Sequence, residues 1–215
     1  DAREVVAWLD EIVEPALPGL LCLPPALQPD CSAAVRCGAR SLAASADTLG
    51  AAVLAQLGGT CTAQLAPARA IPALYRLTGR PLPTAASLFM PEVTRPLRDL
   101  LHHQAGERLG EAARREWAAE VGGVVCRHFL QLATSMLDGV RKDEEARRRY
   151  ARKADAASST TDADKVCVQL FLDVEALGAQ LREVGVDAPR LADYCALRDA
   201  VRPDLTLMES IGGAA

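Results

Sequence analysis

The chain has 215 residues, half of them hydrophobic but only 4% aromatic, with a formal net charge of -4. That length buries a sizeable core without help from disulfides or metal ions, and the acidic balance gives no global attraction to phosphate, which argues against nucleic acid as the main ligand. Alanine and leucine dominate over β-branched and aromatic residues, so the expected class is all-α, helix packed on helix.

In chain order, AREVVAWLDEIVEPAL places Val5, Trp8, Leu9, Ile12, Val13 and Leu17 at steps of three and four, the period of one buried helical face. Pro18 and Gly19 interrupt it, and Pro24, Pro25 and Pro29 make the next stretch a connector. From Asp30 as N-cap to Leu57 the pattern predicts a slender, alanine-rich helix with Val35, Leu42, Ala46, Leu49, Val53 and Leu57 inward, ended by Gly58-Gly59.

The phrase IPALYRLTGRPLPTAAS, residues 71–87, predicts a short helix with Pro72 in its first turn and Gly79 closing it. Pro81 and Pro83 then turn a corner, and Thr84 is expected to cap a helix to about His103; Pro91 and Pro96 inside it imply either a kink, the favoured reading, or a helix that begins near Pro91 as a first-turn proline. Residues 107–153 read as one very long helix with Leu109, Trp117, Val121, Val124, His128, Leu132 and Met136 inward; Gly122-Gly123 in its middle signals a close crossing or a bend. Its charged end, RKDEEARRRYARK, should stand in solvent.

A small-polar linker follows at 154–161, and Thr161 or Asp162 is placed to cap the next helix. In that helix Val166, Leu170, Val174, Leu177, Leu181 and Val184 give the clearest amphipathic pattern of the chain, and Gly185 stops it. A final helix spans 188–201, and 204–215 are expected to be a disordered tail. The resulting organisation is a main bundle over 1–153, the linker, and C-terminal helices over 162–203 packing on that bundle. Six or seven antiparallel helices account for the whole.

Few residues suit chemistry. The three histidines, His102, His103 and His128, lie in no ligand spacing; the first pair reads as a wet helix end and the third as a packed residue. Cys126-Arg127-His128 puts thiol and imidazole two positions apart on a helix, poorly placed to face each other. Phosphate-binding glycine loops and nucleophile-elbow motifs are missing. The seven cysteines, at 22, 31, 37, 61, 126, 167 and 195, form no CxxC pair and leave an odd one over, which suits reduced, buried thiols and a cytosolic setting. No apolar run reaches the length of a membrane span. The chain opens at Asp1 without methionine and is read as a piece of a longer protein. No cofactor, metal or catalytic residue is assigned. The basic cluster Arg147, Arg148, Arg149, Arg152 and Lys153 is the one candidate interaction surface, fitting a solvated helix end or contact with an anionic surface.

Three stretches in order, IPALYRLTGRPLPTAAS, SMLDGVRKDEEARRRYARK and DADKVCVQLFLDVEALGAQLREVGVDAPRLADYCAL, closely resemble the C-terminal part of the second-subunit family of the conserved oligomeric Golgi complex. The resemblance covers most of 66–201, departing in its alanine content, in Pro91 and Pro96, and in a shorter linker. It implies an elongated, rod-like helical leg of a non-enzymatic vesicle tether. Such a tether acts peripherally on the cytosolic face of the Golgi, in retrograde intra-Golgi transport and so in glycosylation homeostasis. It further implies sister subunits as partners, together with SNAREs, Rab GTPases and golgins. The competing readings are an unrelated cytosolic adaptor that binds a partner helix and an enzyme with a helical core.

Overall fold

The computed structural model describes residues 2–13, 16, 17, 19, 21, 22, 24–104, 109–150, 160–204 and 207. Within them the chain is an all-α bundle with no strand. Most of the linker at 154–161 and of the tail at 204–215 lies outside the described residues.

Helix α1, Ala2–Trp8, continues as a wider π-turn segment, Leu9–Val13, and lies against α2, Gln28–Ala63. Of the apolar face expected for the first helix, Trp8, at 52%, and Val5 are exposed, while Leu9, Val13 and Leu17 are half-buried. The expected stop of α2 at Gly58-Gly59 is also corrected, because the helix runs through both. Gly58 is a contact point, where a Cβ would lie 3.2 Å from Cγ1 of Val124. The helix-propensity cost of about 1 kcal/mol per glycine is offset by that approach.

The same close approach explains which side of α2 faces inward. Ala39, Gly58 and Cys61 are buried, with Leu54 and Leu57 packed against the core, whereas Leu42, Leu49 and Val53 are exposed. Small residues let a neighbouring helix come near, and the bulkier aliphatics are left on the outer side.

From Ala66 the chain returns through a 3-10 turn, Ala66–Ala70, and helix α3, Ile71–Tyr75, with Pro72 in its first turn. α3 ends at Arg76, which is already extended, and both Leu77 (φ 56°) and Gly79 (φ 64°) take the left-handed conformation within the connection that follows. Gly79 therefore lies beyond the helix end. No helix begins at Thr84. Helix α4 is Met90–Val93 and α5 is Arg95–Asp99, carried on by a π segment, Leu100–Gln104. Pro91 and Pro96 each occupy a first turn, where the missing N–H has no intrahelical partner to lose. Two short helices thus replace the one kinked helix expected here.

Helix α6, Glu111–Tyr150, spans about 60 Å at 1.5 Å per residue. Helix α7, Asp162–Glu183, opens with a capping box: Thr161 accepts from Asp164 N–H while the Asp164 carboxylate accepts from Thr161 N–H. Gly185, at φ 83°, follows its end. A 3-10 turn, Ala188–Arg190, leads into α8, Ala192–Ala200.

Consecutive limbs alternate in direction. Along α2 and α6, Gly50 meets Trp117 and Gly58 meets Val124, so these two run parallel with the returning 66–104 limb between them in sequence. α6 and α7 run antiparallel, Gly122 meeting Leu181 at one end and Arg147 meeting Asp162 at the other. At Gly122 a Cβ would stand 2.9 Å from Leu181, and at Gly178 one would stand 2.3 Å from the Tyr194 hydroxyl. Gly122-Gly123 is therefore a close crossing.

The buried side of α6 is Ala118, Val121, Val125, Phe129, Ala133, Leu137 and Val140, about one position round from the expected face. Trp117, Val124, His128 and Leu132 are half-buried. The helix has neighbours on two sides: Trp117 and Val124 meet Gly50 and Gly58 of α2, while Gly122 meets Leu181 of α7 and Gly123 meets Asp193 of α8. On α7 the expected row, Val166, Leu170, Val174, Leu177, Leu181 and Val184, is buried in full.

Candidate interaction surfaces

A non-helical strap, residues 76–87, lies along α7 and is held by polar side chains at the helix's centre. The buried Tyr75 hydroxyl donates to Oε1 of Gln169 at 2.9 Å. Nε2 of Gln169 donates to the Ala85 carbonyl at 3.0 Å and to Oδ1 of Asp173 at 3.2 Å. Asp173 also accepts from Ser87, 2.6 Å from the backbone N–H and 2.8 Å from the hydroxyl. Gln169 and Asp173 stand one helical turn apart, so both reach the strap from one face. Further along, Thr94 donates to Gln180 at 2.8 Å.

A buried carboxylate without partners would be strongly destabilising, and here every contact of Asp173 comes from a donor. Burial pushes its pKa up, while the hydrogen bonds from Ser87 and Gln169 pull it back. The network is thus satisfied but tightly interdependent. Tyr75 belongs to the joint, whereas Arg76 points outward, 3.6 Å from Asp143.

The strap also meets the junction of α6 and α7. Leu77 N–H donates to Oδ2 of Asp162 at 3.2 Å, and Arg147 reaches the same oxygen at 3.2 Å. Ala163 N–H donates to Glu144 at 2.8 Å. Of the basic cluster, Arg147 is thereby turned inward, Arg149 pairs with Glu145 one turn earlier at 2.5 Å, and Arg148 is exposed. Arg152 and Lys153 lie outside the described residues.

The structure separates the residues considered for chemistry. Cys126 is buried and its thiol is pushed up to about 12, mainly by burial; Cys61 is held at about 11 by the same cause. Both are thiols at neutral pH, without the thiolate that nucleophilic attack needs. His128 is half-buried, His102 is exposed, and the side chain of His103 lies outside the described residues. Among the described residues no cluster of His, Cys, Asp and Glu could hold a metal ion, and no helix is long and apolar enough to cross a membrane.

Two open grooves flank α2. One, about 420 Å³, lies where Leu57 and Gln64 meet Glu92, Arg95, Pro96, Asp99 and Leu100; its charges are matched, Arg95 pairing with Glu92 at 2.9 Å and Asp99 at 3.6 Å. The other, about 370 Å³, lies between α2 and the first half of α6 and has an acidic rim. Periodicity placed Trp117, in this second groove, on an inner face. The carboxylates around it belong to two helices and come together only by packing, so no spacing in the sequence marked them.

The model of the family described as COG complex component, COG2, C-terminal, matches residues 3–174. The human conserved oligomeric Golgi complex subunit 2 is 31% identical over an alignment covering 92% of this chain and 29% of the human protein. Its namesakes from Drosophila melanogaster and Arabidopsis thaliana are 27% and 28% identical over 80% and 63% of the chain. The chain spans less than a third of the length of these relatives. No solved structure matches it.

Proposed function

The chain belongs to the COG2 C-terminal family, and we propose that it serves as the C-terminal helical leg of a Golgi vesicle-tethering complex subunit. In this reading it acts in retrograde intra-Golgi transport, and so in Golgi organisation and glycosylation, without catalysing a reaction. Sister subunits are its first partners; SNAREs, Rab GTPases and golgins are those it would bring together. It works at the cytosolic face of the Golgi membrane, associated peripherally.

The observation that carries this reading is the continuous family match from residue 3 to residue 174. The physical features agree with it. Helices of about 60 Å supply reach, the buried thiols are unsuited to nucleophilic attack, and the surface offers open grooves of the kind that take a partner helix.

The test is replacement of the corresponding part of the cellular subunit by this chain. Co-purification of sister subunits and restored lectin staining of cell-surface glycans are expected. Failure of both, with the chain folded by circular dichroism, would overturn the reading. Deleting 162–215 is a poor substitute, because it removes α7 from the core and unfolds what it means to probe.

A further inference from the structure

The groove between α2 and the first half of α6 combines three properties. Its floor is apolar and low: Gly50 and Leu54 on α2 face Ala113 and Trp117 on α6, and even a Cβ on Gly50 would lie 3.8 Å from the Trp117 ring. Its rims each carry an exposed carboxylate, Asp47 on α2 and Glu120 on α6. It also opens onto an unusual outer surface of α2, where Leu42, Leu49 and Val53 are exposed and no residue from Thr48 to Ala63 is charged.

We propose that this groove seats one amphipathic helix of another subunit, its apolar edge on Leu54 and Trp117 and its flanking positions filled by lysine or arginine. Small residues on the floor let a third helix approach to ordinary interhelical distance. A half-buried tryptophan in a cleft is the side-chain type that anchors such contacts. The charge fixes the occupant: carboxylates on both rims repel an acidic helix, an anionic lipid surface or a nucleic acid, and attract a basic-flanked helix. The source of the helix rests on the tethering-complex reading; the groove and its charge stand without it.

The experiment uses the full 215-residue chain and two designed helical peptides sharing a leucine–alanine face, one flanked by lysine and the other by glutamate. The lysine peptide is expected to shift the Trp117 indole resonance and to bind at least about tenfold tighter than the glutamate peptide at low salt. Asp47→Lys/Glu120→Lys, both at the exposed rim, should reverse that preference while leaving the circular dichroism unchanged. A photo-crosslinker at Ala51 in the assembled complex should capture an apolar segment of a sister subunit flanked by basic residues.

Equal affinity for the two peptides, or an unmoved Trp117 signal, would overturn the assignment, as would a crosslink to a second copy of this chain or to an acidic segment. Should the chain fail to join the complex while the peptide preference holds, the tethering reading falls and the groove's specificity remains.

Discussion

Asp173 and Ser87, 86 positions apart in sequence, are joined by two hydrogen bonds that fasten a non-helical strap to the buried centre of α7. Both bonds end on a fully buried carboxyl, where an orphaned partner is most costly. Asp173→Ala leaves Ser87 N–H and one N–H of Gln169 without this acceptor and opens space beside them. A loss of about 3 kcal/mol is expected in urea unfolding. Asp173→Asn keeps an acceptor for the two N–H donors and offers an N–H to the Ser87 hydroxyl, so it should cost far less.

The pH dependence follows from the same carboxyl, whose pKa in the folded state is raised above its ordinary 3.8. Between those two values the folded state holds a proton that the unfolded state has released. Stability contributed by Asp173 is therefore fully present below pH 3.8 and declines as pH rises through the folded pKa. Measured as wild type minus Asp173→Asn, unfolding free energy should fall across that window and then level off. A difference that rises with pH would contradict the raised pKa.

Leu77 adopts a left-handed backbone with its side chain 76% exposed. Such a conformation costs a branched residue roughly 1 kcal/mol relative to glycine. Leu77→Gly retains the N–H that meets Asp162 and gives up little burial. The variant should thus unfold at slightly higher denaturant, by about 0.5–1 kcal/mol, or break even where unfolded-chain entropy offsets the gain.

Gly178 faces the Tyr194 ring so closely that an added methyl would collide with its hydroxyl. Gly178→Ala should cost about 2 kcal/mol despite the better helix propensity of alanine. Removing the hydroxyl with Tyr194→Phe should recover part of that loss, and a double-mutant cycle reads the coupling directly. Strictly additive losses would show that the crossing relaxes elsewhere.

The basic end of α6 divides by structure into two kinds of arginine. Arg147 is engaged with Asp162, so Arg147→Glu should lower stability, by roughly 1–2 kcal/mol, through repulsion at the α6–α7 junction. Arg148 is exposed. We propose anionic-surface contact for Arg148 together with Arg152 and Lys153. Charge reversal at these three should abolish flotation with anionic liposomes without altering the unfolding midpoint; unchanged flotation would remove that role.

Much of this was legible before any packing was known. The capping box at Thr161, the apolar row of α7 and the stop at Gly185 are written in local chemistry, because a cap, a helical period and a left-handed residue each need only neighbours in sequence. Pro72 likewise announced the start of α3. At Pro91 and Pro96, proline chemistry allowed two solutions, a kinked long helix or fresh helix starts. The fresh starts match the polar contacts of Thr94 and Arg98 with α7.

Other features depended on which neighbour arrives. α2 has apolar residues on more than one side, and the choice between the leucine row and the small-residue row was made by Val124 and Trp117 approaching Gly58 and Gly50. α6 is packed against helices on two sides, so a single inner face was the wrong description. Gln169 and Asp173 look like ordinary polar positions on an amphipathic helix until the strap covers them.

The sequence by itself determined an all-helical chain, the position of its most regular helix and the family to which it is similar. These rest on composition, period and ordered motifs, all carried by local residues. Only the tertiary structure decided that the proline-rich stretch is a non-helical strap latched to a buried aspartate, and that carboxylates from α2 and α6 rim one groove. Both depend on bringing together residues far apart in the chain, and local propensity carries no information about which distant face will be the partner.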